Sequence, residues 1–320
     1  MRRIVLRSRC RAVAARLRNS AARVTALVSA LACVGGYAAT PASAFPAPGE
    51  LAFGGLQRTY LVHVPAGLEH PAGLVINLHG AGADGGTQAA ITHYDAVADQ
   101  FGLVVAYPDG IDQSWADGRG ASIPDRQGVD DVGFLSALIG QLVGDYGINP
   151  GRVFVTGLSA GAFMANRLAC DRADLVAAIA PVAGTLGSGV PCAPSRPVSV
   201  LETHGTSDPV VPFVGGPMIG RGGASDIVAV PVMASRWRDI DRCPAPVEDV
   251  LPTTGDGTGV RRLTAAGCTD GTAVVLLQVE SGGHTWPFGN FAIPVDSVGP
   301  TTGAADISFA SGQFFLTHGR

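Results

Sequence analysis

The stretch from Val153 to Met164 constrains the fold of this chain more than any other part of the sequence. A short run with strand character, Val153 to Thr156, leads directly into Gly157-Leu158-Ser159-Ala160-Gly161, and a helix-compatible run follows. This G-x-S-x-G pattern between a strand and a helix predicts a nucleophile elbow, a sharp turn that holds the serine with its hydroxyl exposed. The alternative is a glycine-rich turn in which Ser159 only caps the helix.

The first 44 residues have the features of a secretory signal peptide. They contain eight arginines and no acid, followed by an apolar run from Val24 to Val34 and by Ala42-Ser43-Ala44, a cleavage site of the A-x-A type. The apolar run is shorter than the ~20 residues that a membrane span needs, so a membrane anchor is the weaker alternative. The residues before Cys33 fit a lipoprotein site poorly. We therefore expect cleavage near Ala44 and secretion.

The charge of the remaining chain argues against polyanionic partners. The sequence contains no lysine, and without the eight N-terminal arginines 14 arginines remain against 26 acidic residues, a net charge of about −12. Such a surface disfavours nucleic acid and anionic membranes as partners. We expect a monomer that binds a small or oligomeric substrate and needs no cofactor.

Four cysteines lie beyond the predicted signal peptide. An even number in a secreted chain predicts two disulfides, and four cysteines allow three connectivities. Sequence order favours Cys170–Cys192 and Cys243–Cys268. A zinc site is disfavoured because no pair has the short spacing typical of metal ligands, and we predict no metal site.

Strand-like and helix-like runs alternate along the chain. This order predicts a doubly wound, mostly parallel sheet with helices on both faces, in a single domain over residues 45–320. Asp130 and Asp131 lie at the start of one predicted helix, where carboxylates cap the first turn and complement the helix dipole. The alternative for this pair is a catalytic role. The predicted strands are 56–64, 74–78, 103–107, 153–156, 175–181, 198–203 and 274–279, and the predicted helices are 91–101, 132–146, 160–169, 231–242 and 306–318.

Three side chains complete a candidate catalytic set. A serine nucleophile needs a general base, and the base needs a carboxylate that orients it. Ser159, Asp208 and His284 occur in the order that α/β-hydrolases use, each directly after a predicted strand. The carboxyl ends of parallel strands meet at one edge of a sheet, so we expect these residues to meet there. The alternatives are a plain Asp-Pro turn at Asp208 and a surface-loop histidine at His284.

Two backbone N–H groups are candidates for an oxyanion hole. One belongs to Ala160, directly after the predicted nucleophile, and the other to Ala81 in the glycine-rich loop that follows the strand 74–78. We expect His79 to hold this loop by a hydrogen bond, and we expect His204 to hold the turn before Asp208.

Seven separate motifs together resemble those of the secreted polyhydroxybutyrate depolymerase and feruloyl esterase-like family, which includes LpqC-type esterases of the esterase D group. The chain is thereby identified as a member of the α/β-hydrolase superfamily, with the resemblance covering roughly residues 50–318. The motifs are Leu78–Gly80, Trp115–Gly120, Val129–Phe134, Gly157–Met164, Ala180–Gly184, His204–Asp208 and Gly283–Pro287.

The resemblance implies a metal-free serine esterase that acts on aryl or acyl esters, with Ser159 as nucleophile, Asp208 as orienting acid and His284 as base. It also implies a substrate pocket, for which the candidates are His79, Trp115, Trp286 and Phe288. The sequence departs from the family at two positions. Ala81 replaces a frequent cysteine, which leaves the backbone donor intact, and Phe288 replaces a frequent glycine, which reshapes the expected pocket.

Two other functions share some of these features. An acyltransferase on the same fold forms the same acyl-enzyme and passes the acyl group to an alcohol or sugar. A non-catalytic secreted binding module predicts the loss of a member of the Ser-Asp-His set, and all three members are present. The ester itself stays open among a feruloylated sugar, a hydroxybutyrate oligomer and an acetylated xylan.

Overall fold

Strands and helices alternate along most of the chain. The computed structural model describes residues 46–289 and 295–320. In these residues the strands are β1 (Ala47–Phe53), β2 (Leu56–His63), β3 (Gly73–Leu78), β4 (Leu103–Pro108), β5 (Val153–Leu158), β6 (Ala178–Val182), β7 (Ser199–Gly205), β8 (Gly216–Gly220), β9 (Gly223–Ile227), β10 (Val247–Leu251), β11 (Gly259–Ala265) and β12 (Val274–Glu280). The α-helices of the same part are α1 (Gly85–Thr92), α2 (Tyr94–Phe101), α3 (Ile123–Gln127), α4 (Asp131–Asp145), α5 (Ala160–Asp171), α6 (Val230–Ile240), α7 (Val295–Val298) and α8 (Ile307–Thr317).

Ten of the strands form one sheet in the order β1-β2-β4-β3-β5-β6-β7-β12-β11-β10. The strands from β4 to β12 in this order are parallel, and an antiparallel pair flanks them at each edge. The chain leaves β3 toward β4 and then returns to add β5 on the other side. This confirms the predicted doubly wound, mostly parallel sheet. A ligand site is expected at the switch between β3 and β5, where loops leave in opposite directions.

The sheet separates two apolar cores, one on each face. Along β3, Leu74 and Ile76 join the core that α4, α5 and α6 cover, whereas Val75 between them joins the core that α2 and α8 cover. Both faces of a parallel strand are buried in such a sheet, which explains why β3, β4 and β5 are apolar without alternation. The helices therefore lie on both faces, as the sequence predicts.

Several elements differ from the sequence predictions. Residues 47–53, for which no strand was predicted, form the edge strand β1. The single predicted helix over 91–101 is divided into α1 and α2 at His93, which has a left-handed backbone with φ 48°. The hairpin β8–β9 lies outside the main sheet and was not predicted, because its residues lack a regular apolar alternation.

The start of α4 confirms the predicted cap at Asp130. The Asp130 carboxylate accepts a hydrogen bond from the Gly133 N–H at 2.7 Å and caps the helix. Asp131 is buried and pairs with Arg58, with 2.7 Å between Oδ1 and Nη2. Asp131 lies in the first turn of α4, as predicted, but its carboxylate faces the interior and does not cap the helix.

Two disulfides join Cys170 to Cys192 and Cys243 to Cys268. This is the connectivity that sequence order favours. Cys170 lies near the end of α5, the helix that begins after Ser159. Each bond closes a loop of just over twenty residues, which the chain-entropy description values at ~3 kcal/mol.

Some predictions concern residues that the structure does not describe. The signal peptide over residues 1–44, its cleavage site and Cys33 lie outside the described ranges. Among the helices that are described, none combines the length and the apolar character that a membrane crossing requires. No group of three or more His, Cys, Asp or Glu side chains is placed to hold a metal ion within residues 46–289 and 295–320.

Candidate active site

Ser159 occupies a strained turn between β5 and α5. Its backbone has φ 55° and ψ −116°, values that a residue with a side chain rarely adopts. Strain of this kind persists only where the surrounding structure enforces it, and it concentrates at functional sites. The turn predicted from G-x-S-x-G is present, and the N-cap alternative finds no support because the Ser159 side chain makes no capping hydrogen bond.

The glycines of the motif are required by close backbone contacts. A Cβ atom on Gly161 would overlap the carbonyl oxygen of Leu78, and one on Gly157 would lie 2.7 Å from the carbonyl carbon of Gly161. The turn after β5 therefore packs directly against the end of β3. This contact brings Ser159 next to the loop that follows β3.

The loop after β3 is held rigidly by His79. The His79 ring donates from Nδ1 to the Gly80 carbonyl at 2.8 Å and accepts at Nε2 from the Gly110 N–H at 2.9 Å. The Trp115 indole N–H donates to the His79 carbonyl at 2.9 Å. Burial lowers the pKa of His79, so the ring is neutral and structural.

Two backbone N–H groups are available at the centre of this arrangement. The N–H of Ala160 is the first of α5, and the N–H of Ala81 belongs to the loop after His79. Neither donates a hydrogen bond to any group of the described residues. A helix N-terminus and a free loop N–H that face one cleft can bind a developing oxyanion.

Asp208 and His284 form a hydrogen-bonded pair. The distance between Asp208 Oδ2 and His284 Nδ1 is 2.8 Å, and both side chains are largely buried. The other carboxylate oxygen accepts the N–H groups of Val210 and Val211, each at 2.8 Å. Since Nδ1 of His284 bonds to Asp208, its Nε2 is left without a partner in the described part of the chain and is free to act as a base.

A second histidine touches the same carboxylate. His204 Nε2 lies 3.3 Å from Asp208 Oδ2 and 2.9 Å from the carbonyl oxygen of Val211. Both neighbours only accept, so Nε2 carries the proton. Burial alone would raise the pKa of Asp208, but the hydrogen bonds from His204 and His284 outweigh it and hold that pKa well below its usual range. The bond to the Val211 carbonyl agrees with the predicted role of His204 in holding this turn. Its contact with Asp208 was not predicted, although the i,i+4 spacing of the two residues is a signal.

Ser159 and His284 line one cleft of about 600 Å³. Its walls come from the loop after β3, the start of α5, the β8–β9 hairpin and the loop after β12. Most lining side chains are apolar or small, and the charged ones are Arg119 and Arg221. The lining also includes Ala81, Gly82, Ala160, Phe163, Val211 and Met218.

A comparison with known protein families identifies the family of this chain. The sequence profile described as "Esterase PHB depolymerase" matches residues 58–233, more than half of the chain. The chain belongs to the esterase PHB depolymerase family. The matched region includes the β3 loop, the elbow and Asp208, and it ends before His284.

Relatives of this esterase agree with the assignment. NocK of Nocardia uniformis subsp. tsuyamanensis, which carries the name of an esterase, is 29% identical over 322 aligned residues, covering 89% of this chain and 94% of NocK. Feruloyl esterase C of Emericella nidulans is 27% identical, with 71% of this chain and 76% of that protein covered. Two further relatives are the bifunctional acetylxylan esterase/xylanase XynS20E of Neocallimastix patriciarum and feruloyl esterase B of Piromyces equi. They are aligned over 31% and 42% of their own length.

A solved structure has the same fold. The acetyl xylan esterase from Aspergillus awamori superposes with a TM-score of 0.53 at 16% identity, covering 75% of this esterase and 94% of that chain. The predicted α/β-hydrolase fold is confirmed. With the family and its relatives, this identifies the chain as a carboxylic ester hydrolase, and the two disulfides are consistent with an extracellular protein.

The four residues predicted for the substrate pocket of the esterase do not line its cleft. His79, Trp115 and Trp286 are at most 1% exposed, so none can contact a ligand, and that prediction is wrong for all three. The Trp286 indole instead donates to Ser308 at 2.8 Å and anchors α8. Phe288 is 61% exposed and lies outside the cleft lining, so the prediction is wrong for this residue as well. The part of the cleft wall that the hairpin β8–β9 supplies was not predicted from the sequence.

Proposed function

We propose that this esterase is a secreted serine carboxylic-ester hydrolase that forms an acyl-enzyme on Ser159. The observation that carries the proposal is the 2.8 Å bond between Asp208 and His284 at the cleft that also contains Ser159 on its strained turn. The substrates we propose are aryl or acyl esters, in keeping with relatives named for feruloyl and acetylxylan esters.

The first half of the reaction acylates the enzyme. Ser159 Oγ attacks the carbonyl carbon of the ester while its proton passes to Nε2 of His284. The carbonyl oxygen becomes an oxyanion that accepts hydrogen bonds from the N–H groups of Ala160 and Ala81. The tetrahedral intermediate then expels the alcohol, which takes the proton from Nε2, and the acyl group stays on Oγ.

The second half releases the acid. Water attacks the acyl carbon while His284 takes its proton, and collapse of the second intermediate returns that proton to Ser159 Oγ. Asp208 stays ionised throughout, keeps the imidazole in the tautomer with the free Nε2, and stabilises the imidazolium. The low pKa of Asp208 supports this role, because the carboxylate remains charged wherever His284 can act as a base.

The proposed compartment rests on the chain before residue 45. Its arginines, its apolar run and Ala42-Ser43-Ala44 support export and cleavage, which leave a single catalytic domain over residues 45–320. N-terminal sequencing of the exported protein should find Phe45 or a neighbour first. A secreted protein that begins at Met1 would contradict this part of the proposal.

The test of the catalytic roles is hydrolysis of 4-nitrophenyl butyrate by single variants. Ser159→Ala and His284→Ala should each lower kcat by about 10⁶, and Asp208→Asn by about 10⁴, without additivity. A fluorophosphonate probe should label the parent protein and fail on Ser159→Ala. The matched control is Ser188→Ala, because Ser188 is exposed and does not line the cleft. Normal turnover by Ser159→Ala would refute the proposed mechanism.

A further inference from the structure

Two arginines give the cleft positive charge, although the protein as a whole is acidic. The sequence has a formal net charge of −4, yet the cleft is lined by Arg119 and Arg221, and no Asp or Glu of the described residues lines it. Ester hydrolysis through Ser159 needs no such cations, because the oxyanion is bound by backbone N–H groups. The arginines therefore require a separate explanation.

Arg119 is already neutralised. Its guanidinium donates to both oxygens of Asp117, at 2.9 Å from Nε and 2.7 Å from Nη2, and it stacks 3.6 Å above the centre of the Phe163 ring. Asp117 is fully buried behind it. Arg119 thus forms part of the wall, and its charge is offset by its own partner.

Arg221 is the cation without a counter-ion. It lies at the turn of the β8–β9 hairpin and makes no salt bridge within the described residues, while Nη1 donates to the Asp112 carbonyl at 3.3 Å. The turn itself is fixed, because Arg126 donates to the carbonyl of Gly222 at 2.9 Å. The exposed guanidinium of Arg221 therefore extends from a fixed turn, with most of its N–H donors free of partners in the described residues.

That position is beside the proposed oxyanion hole. A Cβ atom built on Gly82 would lie 3.5 Å from Cδ of Arg221 and 3.7 Å from both Nε and Nη1. Gly82 directly follows Ala81, and consecutive Cα atoms are ~3.8 Å apart. From these bond lengths, the guanidinium lies within ~10 Å of the Ala81 N–H. A substrate group with four to six bonds to the scissile carbonyl can span the gap.

We propose that Arg221 binds a free carboxylate of the substrate, so that the esterase prefers esters with a carboxylate a few bonds from the scissile carbonyl. This inference rests on the proposed function, since it concerns the same cleft. The planar guanidinium matches a carboxylate in two parallel hydrogen bonds. Among the ester classes that the sequence leaves open, a hydroxyacid oligomer ends in a free carboxylate, whereas feruloyl and acetyl groups carry none.

The experiment compares matched pairs of esters that differ in one charge. On the acyl side, the 4-nitrophenyl half-ester of glutarate is compared with 4-nitrophenyl 5-methylhexanoate, in which a branched methyl pair replaces the carboxylate. On the alcohol side, a 3-hydroxybutyrate dimer with its free carboxylate is compared with the same dimer capped as an amide. The readout is the ratio of kcat/KM within each pair, for the parent protein and for Arg221→Gln.

The parent protein should prefer the carboxylate in at least one pair, and Arg221→Gln should lower that ratio by about tenfold, the lower end of what a hydrogen bond to a charged group contributes. In 1 M salt the preference should shrink, because the Debye length falls to ~3 Å. Arg261→Gln is the matched control. It removes the same charge from β11, where Arg261 forms exposed pairs with Glu248 and Glu280 outside the cleft lining, and should leave the ratio unchanged.

The outcomes separate this inference from the proposed function. If the parent protein hydrolyses the neutral esters through Ser159 but shows no carboxylate preference in either pair, the role of Arg221 is refuted and the proposed function stands. A preference that survives Arg221→Gln refutes it too. If Ser159→Ala hydrolyses these esters at the parent rate, the proposed function fails instead.

Discussion

A buried ion pair is linked by hydrogen bonds to the loop after β3, and its removal should destabilise both the fold and the site. Arg58 on β2 and Asp131 at the start of α4 are 2% and 1% exposed, and their side chains meet at 2.7 Å. The guanidinium also stacks 3.8 Å above the Phe134 ring. Arg58→Met keeps the apolar stem but leaves the Asp131 carboxylate buried without its counter-ion.

The magnitude follows from this burial. Removing one partner of a buried pair costs ~3–5 kcal/mol, whereas an exposed pair contributes ~0–1 kcal/mol. For a chain of this size each kcal/mol lowers Tm by ~2–4 °C, so Arg58→Met should lose roughly 6–20 °C. Arg261→Met, which breaks exposed pairs with Glu248 and Glu280, should lose about 4 °C or less. Thermal unfolding followed by circular dichroism measures both.

The pH dependence of the stability of Arg58→Met provides a second, independent test of the buried charge. Burial raises the pKa of Asp131 above its usual value even with Arg58 present. Without Arg58 this pKa rises further, so with falling pH the folded state takes up a proton before the unfolded state does. Stability then increases as the pH falls toward the raised pKa. Arg58→Met should therefore regain part of its lost stability between pH 7 and pH 5.

The same pair should affect catalysis through a chain of hydrogen bonds. The second Asp131 oxygen accepts the N–H of Ala116 at 2.7 Å, and the neighbouring Trp115 holds the carbonyl of His79. Well below its Tm, Arg58→Met should lose about tenfold to hundredfold in kcat, which a displacement of ~1 Å can cause. A variant with parent Tm and no recovery at pH 5 would refute the reasoning about the buried charge.

Three further predictions concern the site and its support. His204→Leu removes one donor that keeps the pKa of Asp208 low. The depressed pKa contributes stability that is lost as the pH falls, so acid unfolding of the variant should begin at a higher pH. Its kcat should drop by about tenfold. Gly161→Ala should abolish measurable activity and cost ~1–3 kcal/mol, because its Cβ overlaps the Leu78 carbonyl; hydrolysis of 4-nitrophenyl butyrate and urea unfolding measure the two effects. Cys192→Ser should cost ~3 kcal/mol by opening the loop to Cys170, and a thiol titration of the denatured parent protein should find neither of these cysteines free.

The sequence allows the central elements to be predicted where local signals suffice. An apolar run followed by a small-residue turn identifies the ends of β3, β5, β7 and β12, and parallel strands place these ends at one edge. The hydrogen bond between Asp208 and His284 links loops 76 residues apart. Predicting that the two residues meet requires only this rule and their order in the sequence. The position of the candidate site at this edge of the sheet is thus predictable, because the sheet topology determines it.

Side-chain burial is harder to predict, because it depends on distant partners. Trp115 and Trp286 follow polar or glycine-rich loops, a setting that is equally typical of a pocket wall. Their indole N–H groups instead find the carbonyl of His79 and the hydroxyl of Ser308, contacts with separations of 36 and 22 residues. The hairpin β8–β9 was missed for a related reason, since only one of its faces packs on the cleft and its strands carry little apolar pattern.

The turn at Asp208 explains why one carboxylate can serve two histidines. The N–H of Asp208 donates to the carbonyl of Gly205 at 3.3 Å, which folds the chain back so that the side chain returns toward His204. Four donors then surround the carboxylate: two backbone N–H groups on one oxygen and two imidazoles on the other. A carboxylate held from both sides cannot rotate without breaking several bonds, so His284 faces the cleft in one orientation before any substrate binds. Such preorganisation suits the general-base role proposed for His284, because reorientation at the moment of proton transfer would add to the barrier.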